Sequence, residues 1–96
     1  TNISTLFILA EAKTKINDFA GALDNYSTII KLDSSSAKAY YLRGVSEIKI
    51  EMTDRACYDF KKAGELGYFD AYEMTKKYCE TKKQTPKKKV PKKSKR

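Results

Sequence analysis

Acid–base, nucleophilic and metal chemistry each need particular side chains, and this chain of 96 residues offers few of them. It has no histidine, the commonest general base and metal ligand. Its two thiols, Cys57 and Cys79, lack CxxC spacing, and two cysteines alone do not complete a four-ligand zinc site. They fall on different helical stretches and are expected to be reduced, helix-borne cysteines. Lys76 and Lys77, just before Cys79, favour a thiolate only modestly. Ser34-Ser35-Ser36 has no base to activate a hydroxyl and reads as linker and cap. Carboxylates at Asp24, Asp54, Asp59, Glu65 and Glu73 fall at helical surface spacing, with no closely converging acid pair. The residue types point away from an enzyme; no catalytic residue, metal or cofactor is expected.

The charge lies at one end. Of 20 Lys and Arg residues, nine follow Thr81, in a stretch without a single acid. The other eleven face all 12 acids, so residues 1–81 carry a net charge of −1. The stretch 82–96 has one aliphatic residue, Val90, and two prolines, Pro86 and Pro91. It buries too little apolar surface to offset the entropy of ordering, and a disordered tail is expected. Its charges, Lys87, Lys88, Lys89, Lys92, Lys93, Lys95 and Arg96, admit several readings. These are weak, sequence-blind nucleic-acid contact, resemblance to a nuclear-import signal, an acidic lipid or protein partner, or plain solvation. No aromatic residue is interleaved for base stacking.

No apolar run approaches the ~18 residues of a membrane span; the longest is Leu6–Ala10. That is too short for a signal-peptide core, and a cytoplasmic location is expected. The chain opens on Thr1 without Met, which reads as processing or as a piece of a longer protein.

The elements that would position any site are helical. Leu6, Leu9, Ala10, Lys13 and Ile16 follow three-and-four spacing, as do Ala22, Tyr26, Ile29 and Ile30. Tyr40, Gly44 and Glu47 continue the pattern, then Ala56, Phe60 and Ala63. Asn17-Asp18, the Ser34 run, Thr53 or Asp54, Gly67 and Asp70 supply stops and caps. Five helices are expected, at about 4–16, 19–31, 36–50, 53–66 and 69–81.

The helices pair and repeat. A shift of 34 residues superposes Phe7 on Tyr41, Ile8 on Leu42, Ala10 on Gly44, Lys15 on Lys49 and Ile16 on Ile50. It also superposes Ala22 on Ala56, Tyr26 on Phe60 and Leu32 on Leu66. Half of these eight pairs are identities. A small residue midway along the first helix, and an Ala twelve residues later, let two helices cross closely, with Gly44 expected against Ala56. An aromatic four residues beyond fills the space beside the crossing. On these residues the chain resembles the tetratricopeptide repeat family, whose unit is a helix–turn–helix of 34 residues. The resemblance implies an all-α superhelix, or solenoid, of antiparallel helix pairs. Repeats would run over about 3–36 and 37–70, with a capping helix at about 69–81. The usual Gly-Asp turn is Asn17-Asp18 in one unit and Glu51-Met52 in the other, and a frequent first-helix aromatic is Lys13 and Glu47.

In that family the first helices line a concave groove that takes ligands. Carried over, the groove positions are Phe7, Glu11, Thr14 and Lys15, then Tyr41, Val45, Ile48 and Lys49, with Tyr72 and Lys76 at the cap. An aromatic and aliphatic lining suits a peptide or helix, or another part of the same protein. A family variant that grips C-terminal carboxylates needs Lys and Asn where this chain has Phe7, Glu11, Leu42 and Val45, so that specificity is not expected. Arg43 and Asp59, sixteen residues apart, are expected to pair because burial penalises a lone charge. The pair is read as structural rather than as a ligand site. The stretch Leu6-Phe7-Ile8-Leu9 is apolar all round, so the first helix is expected to be covered by upstream repeats or in a symmetric dimer. The leading expectation is a non-enzymatic protein-interaction scaffold. The alternatives are a nucleic-acid-associated adaptor using the tail, and the terminal segment of a longer solenoid.

Overall fold

The computed structural model describes residues 2–80. The expected disordered tail, with Lys87–Lys89, Lys92, Lys93, Lys95 and Arg96, lies outside the described residues, as does Thr81 of the expected cap. Among the described residues the fold is all-α. Its helices are α1 (Ile3–Lys15), α2 (Phe19–Leu32), α3 (Ala37–Lys49), α4 (Thr53–Glu65) and α5 (Asp70–Thr75). A π-helical segment, Lys76–Glu80, continues α5. Each helix packs on its neighbours in the chain, giving successive helical hairpins.

Local chemistry sets the ends. The Asn2, Asp18 and Ser36 side chains accept hydrogen bonds from the N–H groups of Thr5, Gly21 and Ala39, satisfying donors the helix leaves unpaired. The caps expected of Thr53, Asp54 and Asp70 are not made: Met52 and Phe69 hold those positions without a side-chain bond, and Thr53 and Asp70 open the helices instead. Helices α1, α3 and α4 end alike. The N–H of Asp18 donates to the Lys13 carbonyl, that of Met52 to Glu47, and that of Tyr68 to Ala63, the long bond of a Schellman turn. The left-handed residue it requires is Asn17 (φ 64°), Glu51 (φ 66°) and Gly67 (φ 108°). Met52 follows such a turn, which places it, not Thr53, at the helix boundary.

Two apolar clusters run through the hairpins. One joins Leu6, Ala10, Ala22, Tyr26, Ile29 and Ala39; the other joins Tyr40, Ala56, Phe60, Ala63 and Ala71, and Ile30 touches both. The 34-residue repeat is a repeat of contacts. Phe7 meets Tyr26 at 6.2 Å between ring centroids and 54°, and Tyr41 meets Phe60 at 5.8 Å and 55°. At Gly44 the nearest neighbour is Phe60. The nearest atoms to a Cβ built there belong to the Phe60 ring, at 2.7 Å, rather than to Ala56. The crossing is close because an aromatic edge lies where a side chain would be.

Cys57 and Cys79 are not reduced but form a disulfide, with Cα atoms 5.8 Å apart. The sequence shows them on separate helices. The return of the π segment against α4 brings them to bonding distance.

Candidate functional site

Where α1, α2 and α3 meet there is an open cavity of about 370 Å³, lined by Phe7, Ile8, Glu11, Thr14, Tyr26, Lys38 and Leu42. The three-and-four spacing of Phe7, Ile8, Glu11 and Thr14 puts them on one side of α1. Lys38 and Leu42, four apart on α3, form the opposite wall, and Tyr26 of α2 is the floor. The Tyr26 hydroxyl meets that of Thr14, which itself donates to the Ala10 carbonyl at 2.9 Å. Burial pushes the Tyr26 phenol above its ordinary pKa and the nearby Glu11 charge adds to the shift, against the Thr14 hydrogen bond. The floor is thus a neutral hydroxyl in a largely apolar pocket. The ammonium of Lys38 stands 5.0 Å from the Phe7 ring centroid, within cation–π range. A charge of each sign, Glu11 and Lys38, flanks the apolar walls.

Of the expected groove residues, Phe7, Glu11 and Thr14 line this cavity and Lys15 does not. A shift of 34 residues turns Phe7, Glu11, Thr14 and Lys38 into Tyr41, Val45, Ile48 and Tyr72, the expected second-unit groove. That set is largely filled by the protein itself. Tyr41, Val45 and Ile48 pack on the second apolar cluster together with Tyr68, Met74 and Tyr78. Tyr41 stacks on Tyr68, with centroids 4.6 Å apart. Burial, then the neighbouring Tyr68 and Asp70, raise the Tyr41 phenol pKa. Tyr72 is exposed and stacks on Phe69; Lys15, Lys49 and Lys76 are exposed at the surface. The cavity of about 370 Å³ thus lies in the first unit. Lys38 escaped sequence reading because it sits in the first turn of α3, on the wall opposite the α1 positions.

Arg43 and Asp59 pair as expected. The guanidinium donates from Nε to Asp59 Oδ2 and from Nη2 to Oδ1, both at 2.8 Å, and from Nη1 to the Ser27 hydroxyl at 3.2 Å. A forked contact of this kind is the strong form of an ion pair. Glu47 joins them, fully buried, which corrects the expectation of no converging acids. Its Oε2 lies 3.9 Å from Arg43 Nε and 3.6 Å from Arg55 Nε, and neither oxygen accepts a hydrogen bond. Desolvation, then a hydrogen bond that the protonated acid makes to Asp59 and the Asp59 charge, push the Glu47 carboxyl up to about 8, against Arg43 and Arg55. Asp59 is 1% exposed and Glu47 0%, so this acid pair is sealed from any substrate. It serves the α3–α4 packing.

No protein-family model matches the chain, and no curated protein matches it.

Proposed function

We propose that residues 2–80 form a non-catalytic protein-interaction module of the tetratricopeptide-repeat type, which holds a peptide or helix of a partner in the channel between α1 and α3. The observation that supports this reading is the open cavity of about 370 Å³, with apolar walls from three helices. Its size suits one or two bulky side chains. Phe7, Ile8 and Leu42 supply apolar contact on rigid helices, and Glu11 and Lys38 set the direction of the bound segment.

A displayed 12-residue peptide library selected on the 96-residue chain tests the reading. Selected peptides are expected to carry paired bulky apolar residues. They are expected to lose at least about tenfold in affinity against Phe7→Ala and Lys38→Glu chains that keep the helical circular dichroism of the wild type. Peptides that bind both variants as well as the wild type would refute it.

The nine positive charges of residues 82–96 favour a second reading, an adaptor whose tail contacts nucleic acid. Its affinity for RNA would fall steeply with salt, because bound phosphates release counterions, and would vanish in a chain ending at Thr81. No described helix is long and apolar enough to cross a membrane. A cytoplasmic location requires the Cys57–Cys79 bond to be reduced there, since such compartments keep thiols reduced.

A further inference from the structure

Helix α1 carries a second face that no other described residue covers. Thr5, Ile8, Leu9, Ala12 and Ile16 recur at three-and-four spacing and form one stripe without a charge. Ile8 is 67% exposed, Leu9 44% and Ile16 75%, and Thr5 and Ala12 are exposed as well. The repeat shows what such a face is for. Thirty-four residues on, the same positions of α3 are Ala39, Leu42, Arg43, Ser46 and Ile50. There Ala39 and Ser46 are buried and Leu42 and Arg43 half-buried. A neighbouring helix does the covering: Ile29 and Ile30 of α2 share a cluster with Ala39 and Leu42, and the α2 residue Ser27 accepts from Arg43. The stripe on α1 thus matches the covered α3 face at Thr5, Ile8, Leu9 and Ala12, while Ile50, the counterpart of Ile16, is itself exposed. Arg43, the one charge on the α3 face, is replaced on α1 by Leu9.

We propose that the occupant is the α1 helix of a second copy of this chain, packed antiparallel about a two-fold axis. The stripe is complementary to itself in that arrangement. With the axis between Ala10 and Glu11, Leu9 of each copy faces Ala12 of the other, and Ile16 faces Thr5. Large residues oppose small ones twice over, as close helix packing requires, and no like charges meet. The exposed face of the C-terminal cap suits α1 less well, because it carries Asp70, Glu73, Lys76 and Lys77 beside Phe69 and Tyr72. A helix of α1's length spans ~20 Å. Its contact alone stays below the ~1,200 Å² of ordinary specific interfaces, so a weak, reversible dimer is expected. This pairing shares Ile8 with the channel wall but leaves the channel floor of Tyr26 and Thr14 free.

Sedimentation equilibrium of the full chain from about 1 µM to about 1 mM tests it. The wild type is expected to pass from monomer to dimer across that range. Leu9→Glu and Ile16→Glu are each expected to raise the dissociation constant at least about 100-fold without loss of helical signal. Tyr58→Glu, at an exposed aromatic on α4, is expected to leave it unchanged. Mixing a Leu9→Lys chain with an Ala12→Glu chain restores dimers that neither forms alone, because the antiparallel register brings those two positions together. A wild type monomeric at about 1 mM overturns the proposal and assigns the stripe to a helix of another protein or segment. A dimer indifferent to Leu9→Glu overturns the face, and failure of the mixed pair to associate overturns the antiparallel register.

Discussion

Replacing Glu47 by Gln should flatten the dependence of stability on pH. In the unfolded chain the carboxyl titrates near 4.5; in the fold it titrates at about 8. Between those values the folded state holds a proton that the unfolded state has lost, so stability falls as pH rises. The contribution is full below about 4.5 and exhausted above about 8. The slope for one proton is about 1.4 kcal/mol per pH unit, so moving from pH 5.5 to 8.5 should cost about 3 kcal/mol. For a domain of this size that is roughly 10–20 °C in melting temperature. The groups around Glu47 are Arg43 on its own helix and Arg55 and Asp59 on α4, and neither guanidinium changes charge in this window. The window is unusually clean: the chain has no histidine and its described cysteines are bonded. The amide introduced by Glu47→Gln donates to Asp59 as the protonated acid does, and cannot ionise. Thermal and urea melts by circular dichroism at pH 5.5, 7.0 and 8.5 would show a falling profile for the wild type and a level one for Glu47→Gln. The variant is expected to be the more stable at pH 8.5. Parallel profiles, or a carbon-detected NMR titration placing the Glu47 carboxyl near 4.5, would refute the reasoning.

Three further outcomes follow from the same packing. Arg43→Met leaves Asp59 buried without its counter-charge and should cost about 3–5 kcal/mol by urea denaturation; a loss under about 1 kcal/mol would show the pair to be dispensable. Gly44→Ala places a Cβ 2.7 Å from the Phe60 ring and should cost about 1–3 kcal/mol, although Ala is the better helix former; a gain in melting temperature would count against the close crossing. Reducing the Cys57–Cys79 bond, which spans 22 residues, should remove about 3 kcal/mol. Hydrogen exchange should quicken first over Asp70–Glu80, and a uniform change across all helices would argue against a cap held by this bond.

Much of the fold was legible because helix periodicity and punctuation agree with one another. The boundaries of α1 to α4 lie within about one residue of those read from spacing, and the cap at Asp18 and the left-handed Gly67 follow from residue type. The Arg43–Asp59 pair was legible because sixteen residues is the distance at which one hairpin folds back on itself. What was not legible depended on side-chain encounters between elements. Glu47 shows on the periodic face of α3, but its sealed environment depends on where Arg43 forks, and the fork goes to Asp59. The disulfide depends on the return of the cap against α4, which neither cysteine's neighbours reveal. The groove was half legible. Periodicity and repeat register place Phe7 and Tyr41 in equivalent positions, yet Tyr68, a residue of the second unit's exit, fills the space beside Tyr41, while beside Phe7 stands the ammonium of Lys38.

The central claim is that the channel between α1 and α3 is where a partner segment lies. Intermolecular nuclear Overhauser effects between the methyl-labelled 96-residue chain and a library-selected peptide locate that segment directly. The account predicts contacts from the peptide to the Phe7 ring and to the methyl groups of Ile8 and Leu42. Contacts confined to Ile16, Phe69 or the Lys-rich residues after Thr81, with none in the channel, would contradict it.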